Sequence, residues 1–281
     1  MKIASFTHAG RHSYGVVDGD TVVDAGAVLG HTYSDLRAVL ASSDGLAELA
    51  ELTTAPRLNT KDVEWLPVIP NPDKVLCVGL NYLKHIIETG RETPKYPTLF
   101  TRFPSAQVGH EQPLILPEAS NQFDFEGELA VVIGKAGRHI SKEDAMAHVA
   151  GYSLFNDGSI RDWQRHTLQF TAGKNYVGSG SFGPWLVTKD EITHIDQLVI
   201  ETRLNGQMVQ REGLDDLLFK IPELIEYIST FTELLPGDVI ATGTPGGVGA
   251  FRTPPLWMRP GDVIEVSIEG IGTLRNAITA E

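Results

Sequence analysis

The sequence predicts a β-rich α+β fold on three observations. Many short runs alternate apolar and polar residues at the strand period of two, closed by Gly, Pro or Asn-Gly turns. Helical spacing is confined to a few short stretches. No regular strand–helix–strand rhythm runs along the chain, which argues against a doubly wound parallel sheet.

The elements follow in order. Residues 1–68 read as a small N-terminal α/β domain. MKIASFTH and YGVVDGDTVVDA alternate like strands, with a tight turn at Asp18-Gly19-Asp20. YSDLRAVLASSDGLAELAEL carries helical spacing, broken near Ser43-Asp44-Gly45, and a Pro-rich connector follows. A larger domain is expected over 72–281. It opens with the buried strand KVLCVGLNY and a short helix through YLKHIIETG that Gly90 should end. TLFTRF and QPLILP read as strands. ISKEDAMAHVAGY places Ser141 and Asp144 at capping-box spacing, which predicts a helix there. QLVIETRLNGQMVQ is a hairpin with Asn205-Gly206 at its tip, and PELIEYISTFTEL is an amphipathic helix. Strands and a Gly-rich loop, ATGTPGGVG, complete the chain.

Composition narrows the function. The 281 residues carry a formal net charge of −13, with no run of Lys and Arg fit to track a phosphate backbone, so nucleic acid is not an expected partner. Cys77, the single cysteine, cannot form an internal disulfide. The first residues contain no apolar h-region and no stretch approaches 18 apolar residues, so a soluble, cytoplasmic protein without membrane contact is expected.

The stretch FDFEGELAVVI, residues 123–133, carries the first hint of chemistry. Read as one strand, it puts Phe123, Phe125, Leu129, Val131 and Ile133 on one face, and Asp124, Glu126 and Glu128 on the other. The acidic end is expected at a wet mouth, with either water or a positive group between the carboxylates. Asp157, at the end of SLFNDG, adds a third acid, and an oxygen-rich set of this kind suits a hard cation such as Mg²⁺ or Mn²⁺. His85 and Glu88, three apart on one helix face, could orient and deprotonate a water, although an ordinary surface pair has the same spacing. The loop TGTPGGVGA lacks the Gly-Lys-Ser/Thr ending of a P-loop, and its Gly243 and Thr244 could still contact a carboxylate.

Six segments in one order, GLNYLKHIIETG, LFTRFPSA, FEGELAVVIGK, AGYSLFNDGSIRDWQ, TAGKN and ATGTPGGVG, resemble the fumarylacetoacetate hydrolase superfamily, whose members act on 2-oxo acids. The resemblance spans 72–281 and is vague before that. It implies a mixed β-roll or β-sandwich catalytic domain and a homodimer. It also implies metal ligands at Glu126, Glu128 and Asp157, with the catalytic pair His85 and Glu88 on a lid helix and Lys174 beside the metal. Gln164, Gly243 and Thr244 match substrate-facing positions, Gly243 and Thr244 on the loop that takes the substrate carboxylate. Arg102 stands near the substrate side chain, where many relatives have Lys, and Arg161 falls either on the substrate or in a pair with Asp162. The function expected is Mg²⁺- or Mn²⁺-dependent hydrolysis of acylpyruvate-type 2-oxo acids in catabolism. Oxaloacetate-type decarboxylation and 2-hydroxymuconate-type isomerisation or hydration on the same metal site are the alternatives. A metabolite-binding protein on the same scaffold is the non-enzymatic one.

Overall fold

A computed structural model of the chain describes residues 1–90 and 92–281, with the backbone alone given for His85, Glu88 and Thr89. One large mixed sheet organises it. Its central strands are Gly180–Thr188, Val149–Asn156, Gly127–Ile133, Val239–Ala241 and Val75–Gly79, hydrogen-bonded in that order. All neighbours in this run are antiparallel except Val239–Ala241, which lies parallel to Val75–Gly79. The N-terminal strands continue the same sheet, because Lys2 and Ile3 pair with Val187 and Leu186. A second sheet of five strands contains the expected hairpin, Val199–Leu204 with Gln207–Gly213. At its tip Asn205 and Gly206 both have positive φ (53° and 79°), which an Asn-Gly turn adopts at low cost.

The strand Gly127–Ile133 is buried on both faces. Leu129, Val131 and Ile133 enter a core with the second sheet and the helix Ile221–Phe231, while Ala130 and Val132 enter another with the N-terminal helix Leu36–Ala41. The helix Ile221–Phe231 follows its amphipathic pattern, sending Ile221, Leu224, Ile225 and Ile228 inward. The helix Leu83–Thr89 ends at Gly90 in the left-handed conformation (φ 65°), as expected from the sequence.

Two expectations are corrected here. Residues 141–148 form no α-helix. Ser141 does hydrogen-bond Asp144, but only the 3₁₀ turn Ala145–His148 follows before the chain enters the strand at Val149. The capping contact is local, and nothing extends the apolar face beyond one turn. The acidic stretch is also not one strand. Phe123–Asp124 pairs with Ser159–Ile160, the ladder breaks at Phe125-Glu126, and Gly127–Ile133 begins in the large sheet.

No helix among the described residues is long and apolar enough to cross a membrane. Ile225 sits fully buried where the long helix meets the central strands. Ile225→Ala is expected to cost about 3 kcal/mol in urea unfolding, the range for deleting a buried branched side chain. A loss below about 1 kcal/mol would mean that this core is loosely packed.

Candidate metal and substrate site

The strand break brings three acids together. Gly127 opposes Asn156 in the ladder, and the amide of Asp157 donates to the Glu126 carbonyl at 2.8 Å, so Asp157 emerges beside the Glu-Gly-Glu segment. The carboxylates of Glu126, Glu128 and Asp157 offer one ligand atom each within 4.8 Å of one another. All three are buried, as is Asp124, so the wet mouth expected at this end of the stretch is instead interior. Positive groups, the other option the sequence left open, lie between them.

Lys174, 1 % exposed, donates to Glu126 at 2.6 Å and to Asp157 at 2.7 Å. Arg161 reaches Asp124 through Nε at 2.8 Å, Glu126 through Nη2 at 2.6 Å and the Gln164 side-chain carbonyl through Nη1 at 2.8 Å. Its partner is therefore not Asp162, whose carboxylate accepts from Ser120. Arg102 donates to Asp157 at 2.5 Å, to the Gly158 carbonyl and to Ser179. Arg102 thus stands behind Asp157 and does not line the cavity, contrary to the substrate-side position expected of it.

Four buried carboxylates face three buried cations. The remaining negative charge falls on Glu128, which accepts one hydrogen bond, from the Gly243 amide at 2.9 Å. Burial, with the charges of Asp157 and Glu126 beside it, pushes the Glu128 carboxyl well above the usual carboxylate range. Glu126 goes the other way. Burial alone would raise it, but Arg161 and Lys174 outweigh burial and pull it down to about 2. Burial would likewise lower Lys174, and Asp157 and Glu126 outweigh it, so the ammonium stays charged. Three hard oxygen donors around a surplus negative charge suit a divalent cation.

Residues distant in sequence brace the acids. Gln210, fully enclosed on the hairpin, accepts from the Gly127 amide and donates to Thr244 Oγ1 and the Pro245 carbonyl. Thr244 in turn donates to the Gly127 carbonyl at 3.0 Å. Asp124 accepts from the Gly249 and Ala250 amides, tying the loop that carries Phe251 to Arg161. Asn81 anchors the start of the Leu83–Thr89 helix by donating to the Thr242 carbonyl at 2.7 Å. Nothing local in the sequence marks Gln210, whose Gly127 partner lies 83 positions away, and Asn81, though within the GLNYLKHIIETG segment, gives no local sign of its bond to Thr242, 161 positions away.

Above the acids lies a cavity of about 500 Å³, within the usual range for small-molecule sites. Glu126, Glu128, Lys174, Arg161, Gln164 and Thr244 all reach it. Gly243 does not, since its amide is committed to Glu128; its φ of 104° and the close approach of Val78 and Asn81 leave room only for glycine. The side chains of His85 and Glu88, the expected catalytic pair, lie outside the described residues.

The fold and this acid-lined cavity define a β-rich enzyme of the fumarylacetoacetate hydrolase type. The chain belongs to that family: residues 74–279 match the fumarylacetoacetate (FAA) hydrolase C-terminal model. It is 44% identical over 231 residues to the human oxaloacetate tautomerase FAHD2A, mitochondrial, covering 82% of this chain and 73% of that one. It is 47% identical over 214 residues to the oxaloacetate tautomerase YisK of Bacillus subtilis, covering 75% and 71%. Among solved structures, the fumarylacetoacetate hydrolase of Exiguobacterium antarcticum superposes with a TM-score of 0.88 at 38% identity over the whole of both chains. The maleylpyruvate hydrolase of Sphingobium sp. SYK-6, in complex with manganese(II) and pyruvate, superposes at 0.83 with 28% identity, covering 100% of this chain and 99% of that one.

The Glu128 carboxyl sets a pH dependence. In the metal-free protein its raised value contributes stability that is complete below its ordinary value of 4.5 and is lost as pH rises through the folded value. A cation must displace that proton, so Mn²⁺ affinity is expected to rise with pH and binding to release a proton, read by calorimetry in buffers of different ionisation heat. Glu128→Gln should abolish the release. Unchanged proton release in that variant would place the proton elsewhere.

Proposed function

We propose that the chain is a divalent-cation-dependent tautomerase of oxaloacetate-type 2-oxo acids, moving one proton between C3 and the 2-oxygen. The observation that carries this reading is the buried set Glu126, Glu128 and Asp157, of which Glu126 and Glu128 line the cavity, with the Lys174 ammonium held against two of the three. The choice of tautomerisation is supported by relatives at 44–47% identity that are named oxaloacetate tautomerases.

Glu126, Glu128 and Asp157 would hold Mg²⁺ or Mn²⁺. When bound, the cation supplies Lewis-acid stabilisation of the negative charge that develops on the 2-oxygen as the C3 proton leaves. Lys174 adds a fixed positive charge beside that oxygen, preorganised by its two carboxylate contacts. Phe100, whose ring lies 5.0 Å from the Lys174 nitrogen, walls that side with apolar surface and limits water. The charge balance also fits. Four carboxylates, three side-chain cations and one divalent ion leave a net charge of +1, which one substrate carboxylate would neutralise. The proton at C3 is assigned, on the family resemblance, to His85 and Glu88. We propose that the enzyme acts in catabolism as a cytoplasmic homodimer.

The same enolate serves acylpyruvate hydrolysis, the reaction first expected from the sequence. The likeness to a maleylpyruvate hydrolase favours that second reading, though at lower identity than the tautomerases. Adding the enol form of oxaloacetate with Mn²⁺ and following its conversion to the ketone separates them. Acceleration without pyruvate, reduced at least about hundredfold in Glu126→Ala, is expected. Pyruvate with CO₂ would make the enzyme a decarboxylase, and cleavage of acylpyruvates without enol conversion would make it a hydrolase.

A further inference from the structure

Among the described residues that line the cavity, the cations are Arg161, Arg165 and Lys174. Two of them are committed. Arg161 spends all three guanidinium nitrogens on Asp124, Glu126 and Gln164, and Lys174 is spent on Glu126 and Asp157. Arg165 is exposed and its guanidinium has no carboxylate or hydrogen-bond partner among the described residues. In a chain of net charge −13, a cation left open on a cavity wall favours an anion.

Its position defines which anion. The short helix Arg161–Gln164 starts at the floor, where Arg161 touches Glu126, and Arg165 follows one turn later. Four residues of helix rise about 6 Å. The two carboxyl carbons of a four-carbon diacid are about 4 Å apart across three C–C bonds of about 1.5 Å. A ligand whose 2-oxo acid end lies at the floor therefore brings a C4 carboxylate into reach of the Arg165 side chain. Resting on the tautomerase reading, we propose that Arg165 is the specificity-determining residue that receives the distal carboxylate of a 2-oxo dicarboxylate. The site then selects four-carbon dianions over neutral-ended or three-carbon 2-oxo acids.

The test compares oxaloacetate with its C4 methyl ester as ligands of the Mn²⁺-loaded protein, by calorimetry and by enol conversion. Wild type should prefer the dianion about tenfold, as expected of a charge-assisted bond at a half-open site, and the preference should shrink with added salt. Arg165→Met should abolish the preference and Arg165→Lys should restore part of it, with Mn²⁺ affinity unchanged in both because the floor is untouched. Equal preference in wild type and Arg165→Met overturns the assignment, as does a wild type that does not discriminate. If wild type fails to convert the enol, the tautomerase reading falls. The calorimetric preference and its loss in Arg165→Met still decide Arg165 as a dicarboxylate-binding residue.

Discussion

The structure depends on the neutralisation of acids brought together out of water. Two carboxylates within 4.8 Å repel by at least about 3 kcal/mol at an effective dielectric of about 20, and three such pairs meet at Glu126, Glu128 and Asp157. Desolvation adds to this for each ion. Lys174, Arg102 and Arg161 answer most of it, each through two or more contacts, and Glu128 is left with a backbone amide and a proton. The protein stores a site that is one cation short. That deficit links its stability, its pH response and its capacity for a divalent ion.

The sheet delivers this arrangement through a defect in a regular element. A continuous strand from Phe123 to Ile133 would have spent the backbone of Glu126 on the ladder. Breaking it frees the Glu126 and Gly127 amides to take side-chain acceptors, Asn156 and Gln210. These fix the Glu-Gly-Glu segment to the neighbouring strand and to the hairpin. Gly127 tolerates no side chain here, since a Cβ would meet Thr202 Oγ1 at 2.1 Å. Packing and chemistry thus share residues, and the rigid surroundings keep the ligands aimed without a bound ion.

Much of this was legible in the sequence, and the reasons for the rest are physical. Period two placed Glu126 and Glu128 together, and the Asn205-Gly206 turn, the Gly90 stop and the Ile221–Phe231 helix follow from local rules. Period two does not distinguish a solvated acidic face from a buried one neutralised at long range, so the wet mouth was misplaced. Arg161 is paired with Asp124, 37 positions away, rather than with its neighbour Asp162, and no local signal could select between them. Arg102 and Gly243 fell at the right place in the motif order yet turn to Asp157 and Glu128 instead of the cavity. The helix expected after Ser141 shows the reverse error. Its cap forms, but the residues beyond it are drawn into the sheet.

A crystal soaked in Mn²⁺ and measured for anomalous scattering tests the central claim most directly. The account predicts one strong peak per chain between the carboxylates of Glu126, Glu128 and Asp157, and its loss in Asp157→Asn while the fold persists. No peak there, or a peak bound by other residues, would contradict it.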